Sequence, residues 1–432
     1  MQIVKAIKIK EYVGKEIKMQ GWVRNYRKAS SKLRFIVFRD GTSEVQLIAF
    51  RPDLSVDSWD LVKSLTIETS VEVVGVAKPH PKRESEFEFH LTDLKIVGNS
   101  PDYPISKKEH GADFLLSNRH LWLRSKRQVA LQKIRHTIYF GICSFLNEQD
   151  FVRFDSPIIT PNCCEGTTTL FEVPYFDLGN GYLSQSGQLY LEAGAAALGR
   201  VYDFGPVFRA EKSKTRKHLT EFWMADAEAS FVNHKQSMKL QEDLIRYLIK
   251  LALDKNFDEL ALLERDVEKL KKADASFFIL TYGKAIEKLQ KLGFEIDYGS
   301  DFGAEHEKAI TADSNVPIFI EKWPRQIKSF YMKLDQENPN LALGSDLIAP
   351  EGFGEIIGGS ERETDYDLLK SRMEEQNLPI SDYQWYLDLR KYGSVPHSGF
   401  GVGLERLVSW ISGVRHVRET IPFPRMIYRL SP

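Results

Sequence analysis

The densest run of chemistry-bearing side chains is Val207 to Phe222, VFRAEKSKTRKHLTEF. Strand alternation places Arg209 and Glu211 on one face. Five basic side chains, Lys212, Lys214, Arg216, Lys217 and His218, then crowd one loop. Their mutual repulsion costs stability unless an anion sits among them. A triphosphate fits that need, with arginine as a bidentate phosphate ligand. Beyond the loop, period two sets Phe222, Met224, Asp226 and Glu228 on a common face, where an aromatic ring could stack on a base. The plain alternative is an exposed hairpin with a charged tip.

Two further stretches carry the same kind of signal. Gly344-Ser345-Asp346-Leu347 and Gly354-Glu355-Ile356-Ile357-Gly358-Gly359-Ser360-Glu361-Arg362 pair carboxylates with glycines. Mg²⁺ takes one or two carboxylates together with substrate phosphates, so Asp346 and Glu355 are the candidate metal ligands. In His397-Ser398-Gly399-Phe400-Gly401-Val402-Gly403-Leu404-Glu405-Arg406-Leu407, glycines let the backbone approach a ligand closely. A dinucleotide fold would need such glycines in an early βαβ unit, and these end the chain. Arg406, one turn into a helix, is better placed as a phosphate clamp.

Two regions of different pattern must position these groups. Residues 16–97 read as five short strands rich in Val, Ile, Phe and Trp, with the turn Asp40-Gly41-Thr42-Ser43 between the second and third. Helical spacing (Val56, Trp59, Leu61, Val62, Leu65) falls between the third and fourth. That order predicts an OB-fold barrel over residues 1–100, a fold that binds oligonucleotides on one face. Residues 1–40 hold eleven Lys/Arg against Glu11, Glu16 and Asp40, as a polyanion-binding module can. A linker is expected at 101–118 and an α+β catalytic domain at 119–432. Leu131, Ile134, Ile138, Ile142 and Phe145 recur at helical spacing, and a strand and Pro157 follow.

The bulk composition sets the limits. With 432 residues, 42% hydrophobic and 28% charged, the chain is a folded protein of two or more domains. No apolar run approaches the ~20 residues of a membrane helix, and the N-terminus lacks an apolar leader. Three cysteines, Cys143, Cys163 and Cys164, make neither a disulfide framework nor a zinc site, which points to a reducing cytosol.

Each stretch alone is ambiguous, but their order is informative. FRAE with its basic loop, then GEIIGGSER, then GFGVGLERL resemble motifs 2 and 3 of the class II aminoacyl-tRNA synthetases. The helix at 126–149 with the strand and proline after it resembles their dimer-forming motif 1. A barrel ahead of the catalytic core is the arrangement of the subgroup charging aspartate, asparagine and lysine. YLSQSGQLYLEA (182–193), EKSKTRKHLTEFW (211–223) and YLDLRKYGSVPHSGFG (386–401) look like the asparaginyl-tRNA synthetases.

The resemblance implies an antiparallel sheet flanked by helices, a homodimer, and ATP, Mg²⁺, asparagine and tRNA(Asn) as ligands. By similarity Arg209 holds the α-phosphate and the amino-acid carboxylate. Glu211 reads the adenine amino group and Phe222 stacks on the ring. Lys217, His218, Leu219, Gly403, Leu404, Glu405 and Arg406 complete the ATP site, with His218 and Arg406 facing the β- and γ-phosphates. Asp346 and Glu355 hold Mg²⁺. Glu165 and Gln188 line the amino-acid pocket, and Arg362 meets the substrate side-chain oxygen. In the barrel, Phe35 and Gln46 match positions touching the central anticodon uridine, with Arg27 nearby.

Asparagine is the expected amino acid. Aspartate enzymes of the subgroup carry a lysine where this chain has Leu191, so the cation that would pair with a substrate carboxylate is missing. Glu192 then offers an acceptor for an amide NH₂ while Arg362 donates to the carbonyl. Gly358, where the aspartate enzymes have serine, points the same way. Rival readings are a non-discriminating aspartyl enzyme, an asparagine synthetase descended from this core, and a tRNA-binding paralogue without catalysis. Departures from the family pattern are Lys217 for an arginine, Thr167 for a second glycine, and the Cys163-Cys164 pair.

Overall fold

The computed structural model describes residues 2–84, 86–164 and 170–432. The chain divides into two compact units, Met1–Gly111 and Ala112–Pro432.

In the first unit five strands close a barrel in the order β1 (Glu16–Lys28), β2 (Leu33–Arg39), β3 (Glu44–Phe50), β5 (Phe87–Gly98), β4 (Ser70–Pro79). The helix Val56–Ser64 lies between β3 and β4, and Ser55 caps it by accepting from the Ser58 amide at 3.0 Å. Alternation along β2 is strict: Arg34, Ile36 and Phe38 are buried, while Leu33, Phe35, Val37 and Arg39 are partly exposed. Ile36 and Phe38 therefore join the barrel core with Met19, Leu47, Val73 and Phe89. The same pleat puts Phe35 on the outer face, where it pairs across strands with Arg27.

The second unit is built on an eight-stranded sheet. Its strands in chain order are β6 (Val152–Arg153), β10 (Arg200–Phe208), β11 (Glu221–Ser230), β12 (Phe278–Thr281), β13 (Ile318–Pro324), β14 (Leu341–Ala349), β15 (Gly354–Glu361) and β16 (His397–Gly403). A separate three-stranded sheet holds β7 (Ile159–Thr160), β8 (Glu172–Pro174) and β9 (Asn180–Leu183). The large sheet runs β12-β13-β14-β15-β16-β11-β10-β6. The expected antiparallel order holds for the six central strands, whereas the pairs at both edges, β12–β13 and β10–β6, are parallel.

Helices Lys126–Glu148, His234–Lys255 and Leu404–Ser412 contribute to one apolar core with this sheet. Leu131, Ile134, Ile138, Ile142 and Phe145 all point into it. The apolar stripe of this helix is thus packed into the chain's own core. Phe140 is the large apolar residue of that helix left outside, 55% exposed.

The division of labour along this helix can be measured. Ile138→Ala should lower unfolding free energy by about 2–5 kcal/mol, because it empties a fully buried site. Denaturant unfolding of the variant, showing a loss well below 1 kcal/mol, would contradict the packing.

Candidate active site

A cleft of about 420 Å³ opens over β11, β14, β15 and β16. It gathers residues from all three sequence stretches: Arg209, Glu211, Lys217, His218, Leu219, Phe222, Asp346, Glu355, Arg362, Gly403, Glu405 and Arg406. Gln188 lines it as well.

At one end the cleft is strongly cationic. The Arg209 guanidinium lies 5.5 Å from the Phe222 ring centroid. Arg406 donates to the Glu355 carboxylate and carbonyl, both at 3.2 Å. Lys217 Nζ meets Glu307 Oε2 at 2.8 Å. His218 Nδ1 is held by Ser213 and Thr215, and its Nε2 is 4.0 Å from Glu211. Burial, with Arg406 beside it, holds the His218 imidazole below its ordinary range, so this ring is neutral at pH 7.

Asp346 and Glu355 converge on one point. A Cβ built on Gly358 would come within 3.0 Å of Glu355 Oε1 and 3.9 Å of Asp346 Oδ1, so the glycine leaves a cradle between two carboxylates. Lys328, which the sequence offered no spacing signal for, bonds Asp346 Oδ2 at 2.6 Å and lies over the Trp323 ring at 3.9 Å. Burial, reinforced by Glu355 and opposed by Lys328, pushes Asp346 up to about 7. Burial would raise Glu355 too, but Arg406, Lys328 and Arg209 outweigh it and hold this carboxyl down. Both carboxylates already have cationic partners, Lys328 and Arg406, so a hard divalent cation held by their oxygens would have to compete with these pairs.

The opposite end is the buried ion pair of Glu228 and Arg362. Arg362 Nη2 and Nε donate to Glu228, Nη1 donates to Ser360 Oγ at 2.7 Å, and Nε is 4.0 Å from Glu192. Burial and Glu192 push the Glu228 carboxyl above its ordinary range, while Arg362 works against them. Gly399 of β16 makes room: a Cβ there would strike Glu228 and sit 2.5 Å from the Ala227 carbonyl. Glu228 was absent from the expected pocket residues, although its signal was present. Period two had already put it on the face of Phe222 and Asp226.

Several expected site residues sit elsewhere. Leu191 is fully buried against Ala195 and Val201, so it is core and does not line the cleft. Glu192 lies behind the cleft, where Tyr386, Arg390, His397 and Gln188 take its oxygens. It cannot accept from a substrate amide as the sequence suggested. Leu404 packs in the core. Glu405 edges the cleft, yet its carboxylate is used by Arg135 at 2.6 Å and the Trp223 amide at 3.0 Å. Glu165 lies outside the described residues. In the barrel, Arg27 stacks 4.7 Å over Phe35, and Gln46 donates to Glu88 at 2.8 Å.

Below the cleft, Asp203 and Asp226 face each other across β10 and β11. Asp226 accepts from Ser186 Oγ at 2.8 Å and the Gly187 amide at 2.9 Å. Burial and the Asp226 charge push Asp203 up to about 8. A carboxyl raised in the folded state contributes stability in acid that is lost as pH rises through about 8. Asp203→Asn keeps the neutral form at every pH. Urea unfolding above that pH should therefore find the variant about 1–3 kcal/mol more stable than the parent. Parallel pH profiles for the two proteins would show that Asp203 is not protonated.

Residues 111–427 match the family tRNA synthetases class II (D, K and N), and residues 17–97 match the OB-fold nucleic acid binding domain. The asparagine–tRNA ligase of Symbiobacterium thermophilum is 49% identical over all of both chains. That of Streptococcus suis is 50% identical over 98% of each. The crystal structure of asparaginyl-tRNA synthetase from Pyrococcus horikoshii complexed with asparaginyl-adenylate superimposes with a TM-score of 0.97 at 38% identity, covering 100% of both chains. The Entamoeba histolytica asparaginyl-tRNA synthetase in complex with asparaginyl-adenylate gives 0.91 at 31% identity, covering 100% of this chain and 99% of that one. An OB-fold barrel and a class II catalytic unit, matched end to end at this identity, place the chain among the class II tRNA synthetases, in the asparagine–tRNA ligase family.

Proposed function

We propose that this chain activates asparagine with ATP and transfers it to tRNA(Asn). The observation that carries the choice of amino acid is the Glu228–Arg362 pair on the cleft wall. A side-chain amide is neutral and two-faced: its NH₂ donates and its carbonyl accepts. A carboxylate acceptor beside a guanidinium donor matches both faces. Aspartate would set its carboxylate against Glu228, at a cost of about several kcal/mol for a poorly paired buried charge. Glu228 is thus the acid that meets the asparagine amide, and neither Leu191 nor Glu192 lines the cleft. An aspartyl specificity and a non-catalytic binding role are both disfavoured, the latter because Arg209, Glu211, Glu355 and Arg406 all reach the cleft.

The chemistry needs no protein nucleophile. The asparagine carboxylate attacks the α-phosphorus of ATP in line, the bond to the β-phosphate oxygen breaks, and pyrophosphate leaves. The terminal ribose hydroxyl of the tRNA then attacks the mixed anhydride and AMP leaves. Arg209 neutralises the α-phosphate and holds the carboxylate against it. Phe222 supplies a stacking face for adenine, and Arg406, Lys217 and neutral His218 offer donors to the β- and γ-phosphates. These groups are positioned before the reaction, so catalysis is orientation plus charge stabilisation. Mg²⁺ held by Asp346 and Glu355 would screen phosphate charge.

In the barrel, the outer-face strip of Arg27, Phe35 and Gln46 is proposed to take anticodon bases, with Phe35 as the stacking platform. We also propose a homodimer, supported by the exposed Phe140 and the exposed Val152 on the edge strand β6. Static light scattering should give twice the chain mass, and an active monomer would refute the dimer. Among the described residues no helix is long and apolar enough to cross a membrane. A reducing cytosol is the proposed setting, supported by the low number of cysteines, three in 432 residues.

ATP–pyrophosphate exchange is the deciding assay. It should proceed with asparagine and fail with aspartate at equal concentration, and the reverse preference would overturn the reading. Arg209→Ala should abolish exchange while leaving the unfolding curve unchanged. Phe35→Ala should weaken tRNA charging by ~1–3 kcal/mol and spare exchange, which needs no tRNA. A parallel loss of exchange would make Phe35 a folding residue.

A further inference from the structure

Glu192 is a carboxylate with no surface at all, its side chain 0% exposed. Donors reach it from four directions. Tyr386 Oη lies at 2.7 Å, Arg390 Nη2 at 2.6 Å, His397 Nε2 at 3.0 Å and Gln188 Nε2 at 3.2 Å. Arg362 Nε stands 4.0 Å away. Burying an ion is costly, and apolar side chains of similar volume would serve packing at least as well. A purely structural account leaves that cost without a return.

The return lies in which partners Glu192 holds. Two of them, Gln188 and Arg362, line the amino-acid end of the cleft. Gln188 opens the helix Gln188–Leu198, and Glu192 follows it one turn later on the same face. An ionised carboxylate can only accept hydrogen bonds. Gln188 therefore turns its NH₂ toward Glu192 and spends an N–H there, which favours its carbonyl as the group that meets the cleft. Without Glu192 the amide is free to flip and present a donor instead. Arg362 is similarly constrained. Glu228 and Ser360 take its fork, and Glu192 adds a second negative charge 4.0 Å from its Nε.

We propose that Glu192 is the positioning residue that sets the polarity of the amino-acid pocket, fixing Gln188 as an acceptor and Arg362 as a donor without touching the substrate. This rests on reading the Glu228–Arg362 end as the asparagine site. Arg390 and His397 then have a defined part: they keep Glu192 ionised. Arg390 is anchored in turn by the Glu363 carbonyl at 2.8 Å, and His397 by the Val395 carbonyl at 2.8 Å. Tyr386 supplies one neutral donor and no charge.

The test is pyrophosphate exchange with the full chain, its active sites counted by a single-turnover burst. Glu192→Gln keeps the shape but can turn an NH₂ toward Gln188. Its KM for asparagine should rise about 10-fold or more, and its preference for asparagine over aspartate should fall by a similar factor. Its KM for ATP should not change. Tyr386→Phe removes one neutral donor and leaves every charge in place. It should shift the asparagine KM in the same direction, about 2–5-fold, and remains informative if Glu192→Gln does not fold. Fewer active sites with unchanged asparagine KM and unchanged selectivity, in whichever variants fold, would mean that Glu192 only braces the fold. A parent protein that exchanges with aspartate and not asparagine would instead overturn the substrate reading, which keeps the two failures apart.

Discussion

The catalytic unit depends most on how it buries charge at the closed end of its cleft. Arg362 follows β15, Glu228 sits on β11, Glu192 on the helix Gln188–Leu198, Arg390 on the helix Gln384–Lys391, and His397 begins β16. Five elements from distant parts of the chain bring two acids, two guanidiniums and an imidazole into one desolvated cluster. In low dielectric each member is expensive alone and tolerable only in the company of the others. That requirement explains why Gly399 cannot carry a side chain. It explains equally why the helix carrying Glu192 packs its Leu191 face into apolar core. The pocket's shape and its preference for a neutral amide follow from the same arrangement.

The other end obeys the opposite economy. Arg209, Lys217, Arg406 and Lys328 would repel one another if left without counter-charges. The structure pairs most of them with acids of its own: Lys217 with Glu307, Arg406 with Glu355, Lys328 with Asp346. Arg406–Glu355 is the most exposed of these pairs and so the most readily exchanged for phosphate oxygens. The buried end therefore favours rigidity and selection, and the open end favours reversible capture of a polyanion. Asp226, on the cleft wall, braces the buried end, since it fastens Ser186 and Gly187 at the start of the helix that carries Gln188 and Glu192.

Much of this was legible in the sequence, and for definite reasons. Elements set by short-range rules formed where their spacing implied: five strands with a helix between the third and fourth, a helix from residue 126, and the basic loop between two paired strands. Motif order then located the cleft, because Arg209, Glu355 and Arg406 occur in types and settings that serve phosphate chemistry.

What spacing alone left undecided was which face of an element meets which neighbour. The stripe from Leu131 to Phe145 was visible as apolar, but only packing assigned it to the chain's own core. Leu191 and Glu192 were adjacent to Gln188 in sequence, yet a helix turns about 100° per residue, so Leu191 left the pocket and Glu192 passed beneath it. Glu228 lay in plain sight on a strand, and its importance became apparent only once Arg362, 134 residues away, was folded against it. By itself the sequence determined the elements, the two-unit plan and the cationic side chains of the cleft, because those rest on local geometry and residue chemistry. Tertiary structure alone decided the amino-acid pocket, because a buried charge takes its meaning from partners that no local rule brings together.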